Sequence, residues 1–282
     1  MIAIVGGFVA ASMWALSTLC TSRSSRMIPP SSVLAWVMVT GTIVVLPIGI
    51  STGPPTDLDG ATAGWLAVVG VANVVGLLCV YSALRIGKVG IVAPIASAEG
   101  AVAALLAVLA GEQIAAGAGS MLVLIAVGVV LASSTRDEDP TIRRHDGIAV
   151  TLAGISAVLF GLGLYAAARL SGEIPLPWII LPSRLVGAAA LALPLALTRR
   201  LRLTRASAPF VVTSGLAEII GFAAFTVGSR HGIAISAVIA SQFAALAAVA
   251  AFFLFRERLA RVQVVGVVAI AIGVAVLTGL QA

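Results

Sequence analysis

Long apolar stretches separated by short polar breaks run along almost the whole chain. Charged residues, proline pairs and glycine clusters divide the 282 residues into ten such stretches. Each is close to the roughly 20 apolar residues that a helix needs to cross a bilayer. The pattern predicts ten transmembrane helices, spans one to ten, at residues 2–20, 31–50, 64–84, 89–110, 117–134, 147–170, 177–197, 209–229, 233–255 and 261–280.

The two halves of the chain resemble each other at the offset of 145 residues that separates Asn73 from Glu218. Because each half holds five spans, an odd number, the second copy enters the membrane in the opposite orientation. We therefore expect an all-α integral membrane protein with ten transmembrane helices in two inverted five-helix repeats, at residues 1–134 and 147–282, joined by a polar linker at 135–146. The matched pairs are Gly70/Gly215, Asn73/Glu218, Gly76/Gly221, Arg85/Arg230, Gly87/Gly232, Glu112/Glu257, Ile125/Ile270 and Gly128/Gly273.

Composition supports the membrane assignment. Hydrophobic residues make up 60% of the chain and charged residues 10%, with a mean hydropathy of +1.15, whereas soluble domains carry roughly 25% charged residues. The first apolar stretch has no basic segment before it, so we interpret it as a retained span and not as a signal peptide. The chain then has no room for a soluble domain, and we expect no nucleic-acid partner.

The basic residues report the orientation of the chain. Of the 17 lysines and arginines, Arg184 lies within a span, fourteen fall on one side of the predicted membrane, and only Arg169 and Arg230 fall on the other. Short cytoplasmic loops are enriched in lysine and arginine. We therefore expect a multi-pass protein of the cell inner (plasma) membrane with both termini extracytoplasmic.

No recognisable catalytic or cofactor-binding arrangement is present in the sequence. Cys20 and Cys79 lie in apolar stretches without ligand spacing, and His145 and His231 lie in connecting segments. An enzyme would need a clustered nucleophile and base or a metal set, and a receptor would more naturally carry a soluble output domain. We expect no enzymatic activity, no metal and no cofactor. Since the sequence has no nucleotide-binding motif, any active transport would run on an ion gradient or on exchange.

Three ionisable residues lie within predicted spans: Glu99, Arg184 and Glu218. A charge in hydrocarbon costs about 2.5–3.5 kcal/mol on insertion scales, so such residues usually face a cavity or a partner. Glu99 lies near mid-depth in span four, and its helical neighbours offer no charge partner. Because burial disfavours the ionised form, Glu99 is a candidate to carry a proton or bind a cation. The alternative is a neutral carboxylic acid hydrogen-bonded to a facing helix.

Glu218 and its repeat partner Asn73 predict a central polar site between the repeats. Each lies in a Gly-x-x-polar-x-x-Gly frame, in which glycine permits close approach of a neighbouring helix. The alternative is a polar contact between helices that never touches substrate. Arg184, in span seven, could bind a carboxylate or phosphate. An ion pair with Glu218 or Glu99 explains it equally well.

Several other residues are candidates for the wall of a cavity. Trp14 shares a face of span one with small and mildly polar residues, Tyr165 lies on a similar face of span six, and Gln242 is a single amide within span nine. Helix packing is an equally good explanation for each. Glu112 and Glu257, at the ends of spans four and nine, are better explained by structural or gating hydrogen bonds. Trp36, Trp65 and Trp178 lie near span starts, as interfacial anchors do.

The spans and the ends of spans four and nine resemble the EamA-type family of the drug/metabolite transporter superfamily. The stretches that carry the resemblance are residues 93–114 (APIASAEGAVAALLAVLAGEQI) and 237–259 (AVIASQFAALAAVAAFFLFRERL), followed by the glycine-containing segments 125–129 and 270–274. The family often has proline thirteen residues before the glutamate that ends the span, where this chain has Glu99 and Ala244. The resemblance implies ten spans in two repeats and a transport function.

From these observations we expect a secondary active transporter that exports a small organic metabolite, such as an amino acid or related compound, by alternating access around a central cavity. Its partners would be that substrate, membrane lipids and, through Glu99 and Glu218, protons. Arg184 would bind the anionic group of the substrate, and Trp14, Asn73, Tyr165 and Gln242 would supply hydrogen bonds and aromatic surface. The alternative is a flippase for a lipid-linked sugar or phosphate. A homodimer formed through span ten stays open.

Overall fold

The computed structural model describes residues 2–55, 58–99, 140–170, 174–229, 240, 242–255 and 261–280, and twelve single positions between 102 and 131. Within this part of the chain helices account for nearly every residue, so the all-helical prediction is confirmed. Nine helices are numbered here in chain order: α1 (Ile2–Ser25), α2 (Pro30–Thr52), α3 (Gly60–Ile86), α4 (Val89–Ala96), α5 (Pro140–Leu170), α6 (Leu176–Leu197), α7 (Ala208–Ser229), α8 (Phe243–Phe255) and α9 (Arg261–Leu280).

Six of these helices are long and apolar enough to cross a membrane: α1, α2, α3, α5, α6 and α7. The outer surface of the described residues is rich in large apolar side chains, such as Phe8, Ile43, Ile50 and Phe253, which are more than half exposed. An apolar surface of this kind suits hydrocarbon and not water. The chain is therefore a multi-pass membrane protein. The count of ten spans stays a prediction, because most of span five lies outside the described residues.

Two helices extend beyond their predicted spans. α1 continues to Ser25, five residues past the predicted end, and the hydroxyls of Thr21 and Ser24 donate to the carbonyls of Ser17 and Cys20, both at 2.9 Å. These bonds satisfy polar groups inside the helix, which explains why hydroxyl residues do not end it. α5 begins at Pro140, inside the predicted polar linker, and proline is well tolerated at the first helical position.

Two predicted spans are interrupted. Span four was expected to be continuous over 89–110, but α4 ends at Ala96 in a turn at Ser97 and Ala98. Pro94 lies inside α4 and has no N–H to donate to the preceding turn. At the end of the helix the Ser97 hydroxyl donates to the Pro94 carbonyl at 2.8 Å. In α6, a π-helical segment at Ala188–Ala192 separates Leu176–Gly187 from Leu193–Leu197.

The contacts that α1 to α4 make with α5 to α8 form a pattern that is unchanged when the two halves are exchanged. α1 packs along α7, and α3 packs along α5 in the same way; α2 packs on α6, and α4 on α8. The smaller contacts also come in matched pairs, α3 on α6 with α7 on α2, and α4 on α5 with α8 on α1. Exchanging α1 with α5, α2 with α6, α3 with α7 and α4 with α8 turns each of these contacts into itself or into another contact of the set.

Glycines allow the closest of these approaches. A Cβ built on Gly76 of α3 would lie 2.7 Å from the Phe160 ring of α5, and one built on Gly221 of α7 would lie 2.7 Å from the Trp14 ring of α1. These distances are too short for real carbon contacts, so any larger residue would displace the ring. The predicted role of these two glycines, close approach of neighbouring helices, is confirmed.

Candidate functional site

A cavity lies at the centre of the described residues, between helices of both halves. It offers about 210 Å³ to the centres of water-sized spheres, far more than the roughly 10–15 Å³ that one water requires on this measure. Most of the side chains around it are apolar. The lining residues are Trp14, Ser17, Thr18, Thr21, Val69, Asn73, Leu77, Val80, Tyr81, Leu84, Ala93, Ala96, Glu99, Phe160, Gly163, Ala167, Ile179, Ile180, Ser183, Arg184, Glu218, Phe222 and Phe243.

A buried ion pair joins α6 to α7 at the cavity wall. Arg184 Nη1 lies 2.8 Å from Glu218 Oε2, and the two side chains are 6% and 12% exposed. Tyr81 of α3 donates its hydroxyl to the other carboxylate oxygen, Glu218 Oε1, at 3.1 Å. The Glu218 carboxylate thus accepts from a guanidinium and from a hydroxyl, and such charge-assisted hydrogen bonds are stronger than those between neutral groups. Arg184 and Glu218 therefore cancel each other's charge.

The Arg184 side chain is confined by α2. Its Nη1 also contacts the Met38 sulfur at 3.7 Å, and a Cβ built on Gly41 would lie 2.7 Å from Arg184 Cδ. Glycine at position 41 thus provides the space through which the arginine passes. Two polar atoms near the pair, Arg184 Nε and Asn73 Oδ1, are buried without a hydrogen-bond partner in the structure. Such unpaired groups are uncommon and costly in protein interiors.

Glu99 lies just beyond the turn that ends α4, half-buried at the cavity wall. Among the described residues, no hydrogen-bond donor and no cation reaches its carboxyl group. The backbone around it is closely packed on α5, since a Cβ built on Gly161 would lie 2.7 Å from the Glu99 carbonyl oxygen. Within the described part of the wall, Glu99 is thus the ionisable group that the protein leaves unpaired.

Four aromatic rings line the cavity: Trp14, Phe160, Phe222 and Phe243. The Trp14 ring packs against Phe225 and Phe243, with ring centroids 6.0 Å and 6.1 Å apart. On the same wall as Trp14, the hydroxyls of Ser17 and Ser214 share a hydrogen bond of 2.9 Å that ties α1 to α7.

The structure brings five of the seven predicted site residues to the cavity: Trp14, Asn73, Glu99, Arg184 and Glu218. Tyr165 and Gln242 do not line it. Tyr165 packs edge-on against Trp65, with centroids 5.9 Å apart, and the Arg169 guanidinium lies 5.4 Å above the same indole. Gln242 lies in the turn before α8. Glu112 and Glu257 lie outside the described residues.

Tyr81 is the most informative residue that the sequence did not single out. It lies two helical turns after Asn73, on the face of α3 that also carries Leu77, Val80 and Leu84 into the cavity. Listing the residues that share a face with Asn73 would have identified it. The described residues contain no group of three or more histidine, cysteine, aspartate or glutamate side chains that could hold a metal ion.

Comparison with known proteins relates the first half of the chain to a family of membrane transporters. The model of the EamA-like transporter family matches residues 1–134, the range of the first predicted repeat. Sixteen chains of solved structures match the fold. One of them, a crystal structure described simply as that of a protein, covers 99% of this chain and 97% of its own length with a TM-score of 0.67 at 19% identity. At that identity the likeness establishes the fold alone. A search of curated proteins finds no significant match.

Proposed function

Because residues 1–134 belong to the EamA-like transporter family of the drug/metabolite transporter superfamily, we propose that the chain is a secondary active transporter. Its substrate is a small organic metabolite of about the size of an amino acid, and it crosses the plasma membrane in the export direction. The observation that carries the proposal is the central cavity, which lies between helices of both halves and holds ionisable groups at its wall. Sites of this kind, near mid-membrane and between repeats, are typical of secondary transporters.

Alternating access would follow from the exchange of equivalent contacts. The proposed repeats are residues 1–134 and 147–282, inverted relative to each other, with five helices in each. The large contacts between the halves come in equivalent pairs, such as α1 on α7 and α3 on α5. A rearrangement that loosens α1 from α7 and tightens α3 on α5 would therefore be matched in energy by the reverse. Such a pair of arrangements would open the cavity to one side of the membrane and then to the other.

Proton coupling is assigned to Glu99. It is the unpaired carboxyl group of the described cavity wall, whereas Glu218 is held by Arg184 and Tyr81. A carboxyl group that binds either a proton or a cationic substrate can exchange one for the other during a transport cycle. Glu218 is then a structural partner of Arg184, and its role as a second proton carrier is less favoured by this geometry.

The flippase alternative is less well supported. It required Arg184 to contact a phosphate or sugar headgroup, but the Arg184 side chain is 6% exposed and bonded to Glu218. A headgroup would have to break that pair before binding. The geometry therefore favours a small molecule enclosed in the cavity.

Transport assays in reconstituted vesicles test the proposal. Wild-type protein, reconstituted with a pool of radiolabelled amino acids and primary amines, should move at least one solute uphill when a pH gradient is imposed. Glu99→Gln should abolish this uphill movement, whereas solute exchange between equal pools, which needs no proton, should persist with a weaker affinity for cationic solutes. Asp59→Asn is the matched control: it also replaces a carboxyl group by an amide, but far from the cavity.

Asp59 is a suitable control because it caps the start of α3, a role that asparagine can also fill. Asp59 accepts from the Thr62 backbone N–H at 2.7 Å at the start of α3, and hydrogen bonds from the Thr62 side chain and backbone lower the pKa of the Asp59 carboxyl. Asparagine caps helices about as well as aspartate. Uphill transport that persists in Glu99→Gln refutes the coupling role, and the absence of both uphill movement and exchange in the wild type refutes the transport function.

A further inference from the structure

We infer that the cavity selects an amphipathic organic amine that carries one positive charge and no acidic group. The inference rests on the proposed function and narrows its substrate class, because a free amino acid would be disfavoured. It is carried by two properties of the described wall: the balance of its charges and the nature of its apolar side.

The charges of the wall leave one negative site without a partner. Three residues of the described lining carry formal charge when ionised: Arg184, Glu218 and Glu99. Arg184 and Glu218 neutralise each other through their 2.8 Å contact. Among the described residues an ionised Glu99 has no positive partner, and a carboxylate facing a mostly apolar wall is disfavoured unless a ligand supplies one. An ammonium group supplies both the charge and the hydrogen-bond donors.

The apolar part of the ligand would meet aromatic rings. Trp14, Phe160, Phe222 and Phe243 line the same cavity as Glu99. The faces of such rings attract ammonium groups, tryptophan most strongly, and the rings also accept hydrocarbon. A wall that combines one carboxyl group with several aromatic rings suits a hydrophobic cation.

An acidic group on the ligand would find no free cation in the described wall. Arg184 is already compensated by Glu218, and its unpaired Nε atom is buried. Binding a carboxylate at Arg184 would compete with the Glu218 carboxylate for the same guanidinium. A zwitterion would thus place its negative charge in a cavity whose positive charge is already matched, and this penalty is absent for the corresponding amine.

A matched set of ligands tests this selection. Binding of phenethylamine, phenylalanine and 2-phenylethanol to purified protein in detergent is measured at neutral pH by calorimetry or by displacement of radiolabelled phenethylamine. The three share one ring and differ only in ammonium, zwitterion and hydroxyl. We expect the dissociation constant of phenethylamine to be at least about tenfold lower than that of either other ligand, which corresponds to about 1.4 kcal/mol.

Variants assign the effect to Glu99. In Glu99→Gln the preference for phenethylamine over 2-phenylethanol should fall to less than about twofold, while Asp59→Asn should keep the wild-type preference. A second readout needs no variant, because dicyclohexylcarbodiimide adds to carboxylic acids. N,N-dimethylphenethylamine, a tertiary amine that cannot form an amide with the activated carboxyl group, should slow this addition to Glu99 in wild-type protein, as measured by peptide mass spectrometry. The neutral alcohol should protect much less.

The outcomes separate the amine assignment from the transport proposal. Phenylalanine binding as tightly as phenethylamine, no measurable amine binding, or an unchanged preference in folded Glu99→Gln overturns the amine assignment. If Glu99→Gln does not fold, equal carbodiimide labelling with and without amine overturns it instead. Binding of phenethylamine without its exchange across vesicles refutes transport of amines and leaves the site assignment standing. Uphill transport of a zwitterion without amine binding overturns the amine assignment and leaves the transport proposal standing.

Discussion

Loss of either member of the Arg184 and Glu218 pair should destabilise the protein strongly, because the remaining charge stays buried without its partner. We predict that Arg184→Met and Glu218→Met each destabilise the protein, since each leaves one buried charge unpaired. The double variant, with both charges removed, should be more stable than either single variant. Replacement of a whole buried pair by apolar side chains of similar volume is often neutral or stabilising.

The magnitude follows from the geometry. Removing one member of a buried pair costs about 3–5 kcal/mol, and the attraction between unit charges about 4 Å apart is of the same size, about 4 kcal/mol, at an effective dielectric constant near 20. The double variant deprives the Tyr81 hydroxyl of its acceptor, which costs about 1–3 kcal/mol. At about 2 °C per kcal/mol for a chain of this length, the single variants lose about 6–10 °C and the double variant about 2–6 °C.

The assay is the midpoint of heating-induced loss of monodisperse protein, followed by size-exclusion chromatography with tryptophan fluorescence detection. Arg23→Met is the control, because Arg23 is exposed at the end of α1, and its midpoint should stay within about 1 °C of wild type. A double variant that is less stable than both single variants would refute the reasoning. Independent contributions would instead add, to a loss of about 12–20 °C.

Three further predictions address packing, hydrogen bonding and orientation. Gly41→Ala should lower the midpoint, at a cost of about 1–3 kcal/mol, because its Cβ would lie 2.7 Å from Arg184 Cδ. Gly154→Ala is the control: nothing lies within 4 Å of its Cβ, so the midpoint should stay equal or rise. Equal shifts of the two midpoints in the same direction would contradict this. Tyr81→Phe should lower the stability by about 1.5–3 kcal/mol in the same assay, because the hydrogen bond to Glu218 is lost. In the background of Glu218→Met it should lower the stability no further. Additive losses of stability would disprove the bond. A C-terminal fusion to alkaline phosphatase should be active and one to green fluorescent protein dark, because the sequence predicts an extracytoplasmic C-terminus; the reverse result would move the termini to the cytoplasm.

The sequence was a good guide wherever a residue conflicts with hydrocarbon. Glu99, Arg184 and Glu218 stand out because a charge in a membrane needs a reason, and the structure brings all three to one cavity. Hydropathy likewise predicted six helices that the structure shows to be long and apolar enough to span. These inferences depend on the solvent, which every membrane protein shares, and not on the particular packing of this one.

Inferences that depend on neighbouring helices were less successful. Tyr165 was expected at the cavity, but its ring packs on Trp65, and Tyr81 was overlooked although its hydroxyl reaches Glu218. Helices that are apolar on all sides carry little periodicity to show which side faces inward. The interruption after Pro94 was also missed, because hydropathy continues unchanged through a break in the backbone.

The matched packing of the two halves is not accompanied by matched charge. α6 contributes Arg184, whereas α2, its counterpart, contains no ionisable residue, and Asn73 occupies the position that corresponds to Glu218. Two identical subunits related by a two-fold axis could hold this pair only in duplicate, with two arginines and two glutamates crowded around one space. A single chain that contains both halves needs only one such pair. In this chain the second half supplies the compensated pair and the first half supplies Glu99, which has no partner among the described residues, so the two halves of the wall offer a ligand different chemistry.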